Sequence, residues 1–82
     1  MSEEKIETTK GLCVIALTKH IMEKYKISQD EAFAKLSGTE FFKIFSNAES
    51  RLYLEPDYFL FKACDLELSS KTDEMYKYIQ EN

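Results

Sequence analysis

Between Ile6 and Lys26, apolar positions recur at helical spacing. At about 100° per residue, Val14, Leu17, Ile21 and Tyr25 share one face. Cys13 extends that face on one side and Ile15 and Met22 on the other, while Lys19, Glu23 and Lys26 lie opposite. An arc this wide predicts a long central helix touched by several partners.

The next stretch repeats a helix-start signal. SQDE (Ser28 to Glu31), SGTE (Ser37 to Glu40) and SNAE (Ser46 to Glu49) each read S-x-x-E. In a capping box the serine hydroxyl accepts from an unpaired amide and the glutamate reaches back to the serine amide. The repeat predicts short helices that restart one after another, with Gly38 helping to end the first. Phe33, Leu36, Phe41, Phe42, Ile44 and Phe45 load these helices with apolar side chains. Helices of two turns are unstable alone, so that load is expected to anchor them to the first helix.

RLYL, residues 51–54, alternates enough for a short extended segment, and a helical turn fits it equally well. Pro56 biases Glu55 away from helical geometry and suits the start of a new helix, expected to run to about Ser69. SKTD (Ser70 to Asp73) then predicts the cap of a last helix, with Met75 and Ile79 on its inner face.

Wound as a helix, 56–69 separates two apolar groups. Leu60, Phe61, Cys64 and Leu68 lie on one side; Phe59, Ala63 and Leu66 form a second stripe, and Glu67 is isolated between them. Either the helix is sandwiched and both stripes are covered, or the second stripe stays open and docks a partner. In the latter case the contact surface is Phe59, Ala63 and Leu66, with Tyr58 and Lys62 beside them.

Composition narrows the functional classes. A chain of 82 residues suits one small core, and two glycines and one proline are too few for the hairpins of a β fold. Net charge is −4 and the basic residues are scattered, which disfavours nucleic acid and membrane surfaces as partners. The apolar run LCVIAL (Leu12 to Leu17) is far shorter than the ~20 residues of a membrane span, and it follows an acidic stretch, unlike a signal peptide. Cys13 and Cys64 sit in apolar helical patterns and read as reduced core thiols of a cytoplasmic protein.

The chain offers little chemistry. His20 stands about 10 Å along the helix from Cys13, too far for a thiolate–imidazole pair. It reads as a surface or rim histidine. Two cysteines and one histidine match no zinc spacing, and Asp30 and Glu31 are better explained as first-turn acids than as metal ligands. No glycine-rich phosphate loop is present. No catalytic, cofactor-binding or metal site is expected.

LCVIAL in the first helix, followed by KISQDEAFAKL with Ser28, Glu31 and Ala32, resembles the small bacterial proteins of the DUF3791-type family over the first half of the chain. Where that family carries a His-Thr dipeptide, this chain reads NAESRLYLEP. The resemblance implies a protein-binding role, through the family's association with toxin–antitoxin-like loci, and assigns no functional residue.

The reading is therefore an all-α protein, a compact bundle of four to five helices, two of them short. A loose start is expected over 1–4 and a single helical domain over 5–82. The expected function is non-catalytic protein–protein interaction, with a second copy or with a small antitoxin- or adaptor-like partner. The alternative is a small-molecule-binding helical domain with a Tyr/Phe-lined cavity among Tyr25, Phe42 and Phe61. An enzyme would need His20 within hydrogen-bond reach of a thiol or carboxylate.

Overall fold

The computed structural model describes residues 3–81, which form five α-helices and two 3-10 turns and contain no strand. The helices are α1 (Glu3–Tyr25), α2 (Gln29–Ser37), α3 (Glu40–Ser46), α4 (Asp57–Leu68) and α5 (Thr72–Gln80); the turns are Ala48–Ser50 and Leu52–Leu54. This is the small helical bundle that the periodicity predicts.

At 1.5 Å per residue α1 is about 34 Å long, nearly the 36 Å long axis of the molecule. It is the spine, packed against α2 and α4. Of the expected loose start, Met1 and Ser2 lie outside the described residues, while Glu3 and Glu4 already belong to α1. Acidic residues suit a helix start, and Thr8 Oγ1 donates to the Glu4 carbonyl at 3.0 Å. At its far end Lys26 turns left-handed (φ 57°), and the Ile27 N–H returns to the Met22 carbonyl at 3.3 Å. That bond closes a Schellman-type turn.

The four cap signals fare differently. Ser28 does cap α2, accepting from the Glu31 N–H at 3.2 Å, and Gly38 ends the helix. Ser37 does not start α3: it is the last residue of α2, and its hydroxyl donates back to the Ala34 carbonyl at 3.2 Å. Thr39 caps α3 instead, accepting from the Phe42 N–H at 3.0 Å. SNAE yields only a 3-10 turn, held by Asn47, whose side chain accepts from the Glu49 N–H at 3.0 Å.

The extended segment considered for 51–54 is also not present. Arg51 adopts left-handed geometry (φ 57°), and Leu52–Leu54 close into a 3-10 turn that buries Leu52 and Tyr53 and leaves Leu54 exposed. Ser70, the expected cap of α5, is itself left-handed (φ 63°). The Lys71 N–H bonds to the Leu66 carbonyl and the Ser70 N–H to that of Glu67, both at 2.9 Å, so this segment closes α4 as a Schellman motif. The tight turn lays α5 back along α4.

The core joins Leu17 and Ile21 of α1, Leu36 of α2, Phe41 and Phe45 of α3, Leu60 and Cys64 of α4, and Met75 of α5, all nearly sealed from solvent. Phe41 and Phe45 anchor the short α3 as expected. Phe33 does not follow them inward.

Candidate functional site

On α4 the structure separates the proposed contact residues. Phe59 is 4% exposed and Ala63 fully buried, because α5 covers them. The Phe59 ring stacks on Tyr78 with centroids 4.8 Å apart. The second stripe is therefore core rather than an open docking surface, and the sandwich is the arrangement adopted. Leu66 is half-buried, and Tyr58 (74% exposed) and Lys62 remain outside. These three line a shallow hollow of about 380 Å³ with Phe61 and Asp65. Two of its charged groups are already engaged: Lys62 sits 5.1 Å from the Tyr78 ring centroid and Asp65 pairs with His20.

Besides Tyr58, Tyr76 and Leu54, open apolar side chains lie on α1 and α2. Leu12 (64%), Ile15 (54%) and Phe33 (46%) are large apolar side chains that remain about half exposed or more. Ile15, which extends the apolar face of α1, lies at its edge and lines the cleft beside Phe33 of α2. The groove between the helices, about 520 Å³, is lined by Val14, Ile15, Thr18 and Met22 of α1 and by Asp30 and Phe33 of α2. A second hollow of about 410 Å³ continues it through the shared Val14 and Phe33 to Gly11 and Phe42. Phe33 and Phe42 meet edge to face at 6.4 Å and form the wall opposite α1.

Gly11 is exposed in the floor of this groove. A Cβ placed there meets nothing within 4 Å, and the residue needs no positive φ. Glycine in a helix interior costs about 0.5–1 kcal/mol relative to alanine. Packing within the monomer therefore gives no reason for it. This groove is the feature that the sequence reading missed, although the lone mid-helix glycine beside Leu12 and Ile15 was legible there.

His20 sits on the opposite flank of α1. Its Nε2 lies 2.9 and 3.1 Å from the two Asp65 carboxylate oxygens, and Lys24 Nζ lies 3.2 Å from Asp65 Oδ2. An ionised carboxylate only accepts, so Nε2 carries the proton it donates. Phe61 stacks flat on the imidazole at 4.3 Å. The histidine thus does reach a carboxylate, as an acid–base site requires. That nitrogen, however, is held by the carboxylate, and the adjacent Cys64 is sealed in the core. Burial, reinforced by Asp65 and Glu67, pushes the Cys64 thiol up to about 12. Burial, with Asp57, raises Cys13 as well. Neither thiol is poised as a nucleophile. The cluster ties α1 to α4.

The rings proposed for a ligand cavity are engaged separately. Phe61 lies on His20, Phe42 against Phe33 and Phe45, and Tyr25 beneath the Lys35 ammonium at 5.3 Å. Among the described residues no group of three or more His, Cys, Asp or Glu is placed to hold a metal ion, and no helix is long and apolar enough to cross a membrane. No protein-family model matches the chain, and neither a curated protein nor a solved structure matches it.

Proposed function

We propose that this chain is a non-catalytic protein–protein interaction module whose contact surface is the α1–α2–α3 groove rather than the second stripe of α4. The observation that carries the reading is that Ile15 and Phe33 stay open to solvent along the groove while smaller side chains such as Ala32 and Ala63 are sealed. Leaving such side chains about half in water forgoes part of the roughly 1.5–3 kcal/mol that full burial of each would give, and exposed apolar patches mark contact sites. Both signs of charge rim the groove, with Glu7 and Lys10 at one end and Lys19 and Asp30 at the other. Such a mixture suits a protein surface better than a polyanion.

Affinity purification of the tagged chain, wild type against Phe33→Glu, tests the reading. The expected result is a stoichiometric protein retained by wild type and lost with Phe33→Glu, with the helical circular dichroism of the variant unchanged. Identical recovery with both chains, or a tightly held small molecule in native mass spectrometry, would overturn it.

A further inference from the structure

We infer that α5 is an exchangeable arm: it leaves the α4 of its own chain and packs on the α4 of a second copy, giving a reciprocal dimer. The partner follows from what covers the Phe59–Ala63 stripe in the monomer. Met75 of α5 is sealed in the core and Tyr78 stacks on Phe59 at 4.8 Å. A second copy brings those same side chains to the same stripe, and exchange of an identical element is a low-cost route to a dimer. The groove on α1 plays no part in it, so the two readings stand or fall separately.

Three features of the hinge favour the exchange. First, Ser70 holds the turn in left-handed geometry (φ 63°) without being glycine, and straightening relieves that strain; short hinges under strain invite swapping. Second, opening loses no backbone hydrogen bond. In the hairpin the Ser70 N–H bonds to the Glu67 carbonyl and the Lys71 N–H to that of Leu66. In a continuous helix the same two carbonyls trade donors. Lys71 also gives α5 no side-chain cap, unlike Ser28 for α2 and Thr39 for α3, so the first amides of α5 gain carbonyls of residues 68–70 when the helices fuse. Third, residues 57–80 contain neither glycine nor proline, and Ser69, Ser70 and Lys71 are exposed. Nothing local obliges the break, and straightening it uncovers no core. One helix over 57–80 is about 36 Å long. Because α5 runs back along α4, two such helices side by side and antiparallel give each α4 the α5 of the other chain.

The test refolds the full chain from urea under reducing conditions at about 1 mM, the effective concentration against which a short tether makes a second copy compete. Light scattering on size-separated protein then gives the association constant for wild type, Ser70→Gly and Ser70→Ala. The expected result is a dimer in equilibrium with monomer. Ser70→Gly, which relaxes the closed turn in both chains and disfavours the fused helix, lowers the association constant roughly tenfold or more. Ser70→Ala, a better helix former at the hinge, raises it about threefold or more. Isotope-filtered NMR of a dimer assembled from labelled and unlabelled chains shows the Phe59–Tyr78 ring contact between chains. A monomer throughout in wild type and Ser70→Ala, equal association of the Gly and Ala variants, or a dimer whose Phe59–Tyr78 contact stays within each chain would each overturn the exchange.

Discussion

The carboxylate of Glu67 on α4 accepts from the backbone N–H of Phe41, at 2.5 Å, across 26 residues of sequence. Its other oxygen accepts from the Glu40 N–H at 2.6 Å. The first turn of α3 is thus closed by a side chain from another helix as well as by Thr39. Negative charge at a helix start also favours the dipole. Glu67→Ala is expected to cost about 1–2 kcal/mol, and Glu67→Gln less, because the amide keeps one acceptor. Urea denaturation checks this; a midpoint no lower than that of a Glu74→Ala surface control would show that the bridge is energetically idle.

The His20–Asp65 pair joins α1 to α4 at a partly open site, with side chains 25% and 27% exposed. Screening keeps such pairs weak, so a double-mutant cycle of His20→Ala and Asp65→Ala is expected to give coupling of at most about 1 kcal/mol. A larger value would mean that the stacking of Phe61 on the imidazole depends on the carboxylate.

The two buried thiols make stability fall in alkali. The Cys64 thiol is raised from its ordinary 9.0 to about 12, first by burial and then by Asp65 and Glu67, against an opposing effect of Lys24. The folded state therefore holds its proton where the unfolded state has lost it. Its contribution is complete below about pH 9 and is lost as pH rises from there toward 12, at up to about 1.4 kcal/mol per pH unit. Cys64→Ala should flatten that slope in a series of denaturant titrations from pH 8.5 to 10.5. Iodoacetamide at pH 8 should modify Cys64 only after unfolding.

Left-handed geometry at Ser70 strains a side chain that glycine would not carry. Ser70→Gly is expected to raise stability by up to about 1 kcal/mol, and the β-branched Ser70→Val to lower it. Thermal melts that rank the two the other way round would contradict the Schellman closure of α4.

The bundle was legible because period and punctuation are local properties. The face of α1, the cap at Ser28 and the break at Pro56 follow from residues within one or two turns. What was hidden depended on distant partners. Ser37 and Thr39 both precede α3 by a few residues, and nothing local says that the Ser37 hydroxyl will bond back to Ala34 and leave the cap to Thr39. The stripe of Phe59 and Ala63 was identified correctly as apolar, but the left-handed Ser70 that swings α5 over it has no glycine to announce it. Periodicity puts Ile15 on the edge of the apolar face of α1, yet it stays 54% exposed, because how far a neighbouring helix covers that edge is not a local property.

Neighbouring residues on α4 then separate the two arrangements weighed for that helix. Phe59 is sealed against Tyr78, whereas Tyr58, one residue away, is 74% exposed. Truncating a buried phenylalanine removes transfer energy and leaves a cavity, so Phe59→Ala is expected to cost about 3–5 kcal/mol. In a domain this small that is a large share of the total stability, about 5–15 kcal/mol at most. Tyr58→Ala should stay within about 0.5 kcal/mol of wild type. Paired denaturant titrations with light scattering decide the matter. A folded Phe59→Ala chain of unchanged stability but altered oligomeric state would return the stripe to the surface. Loss of folding with Phe59→Ala alone fixes it as the seam between α4 and α5.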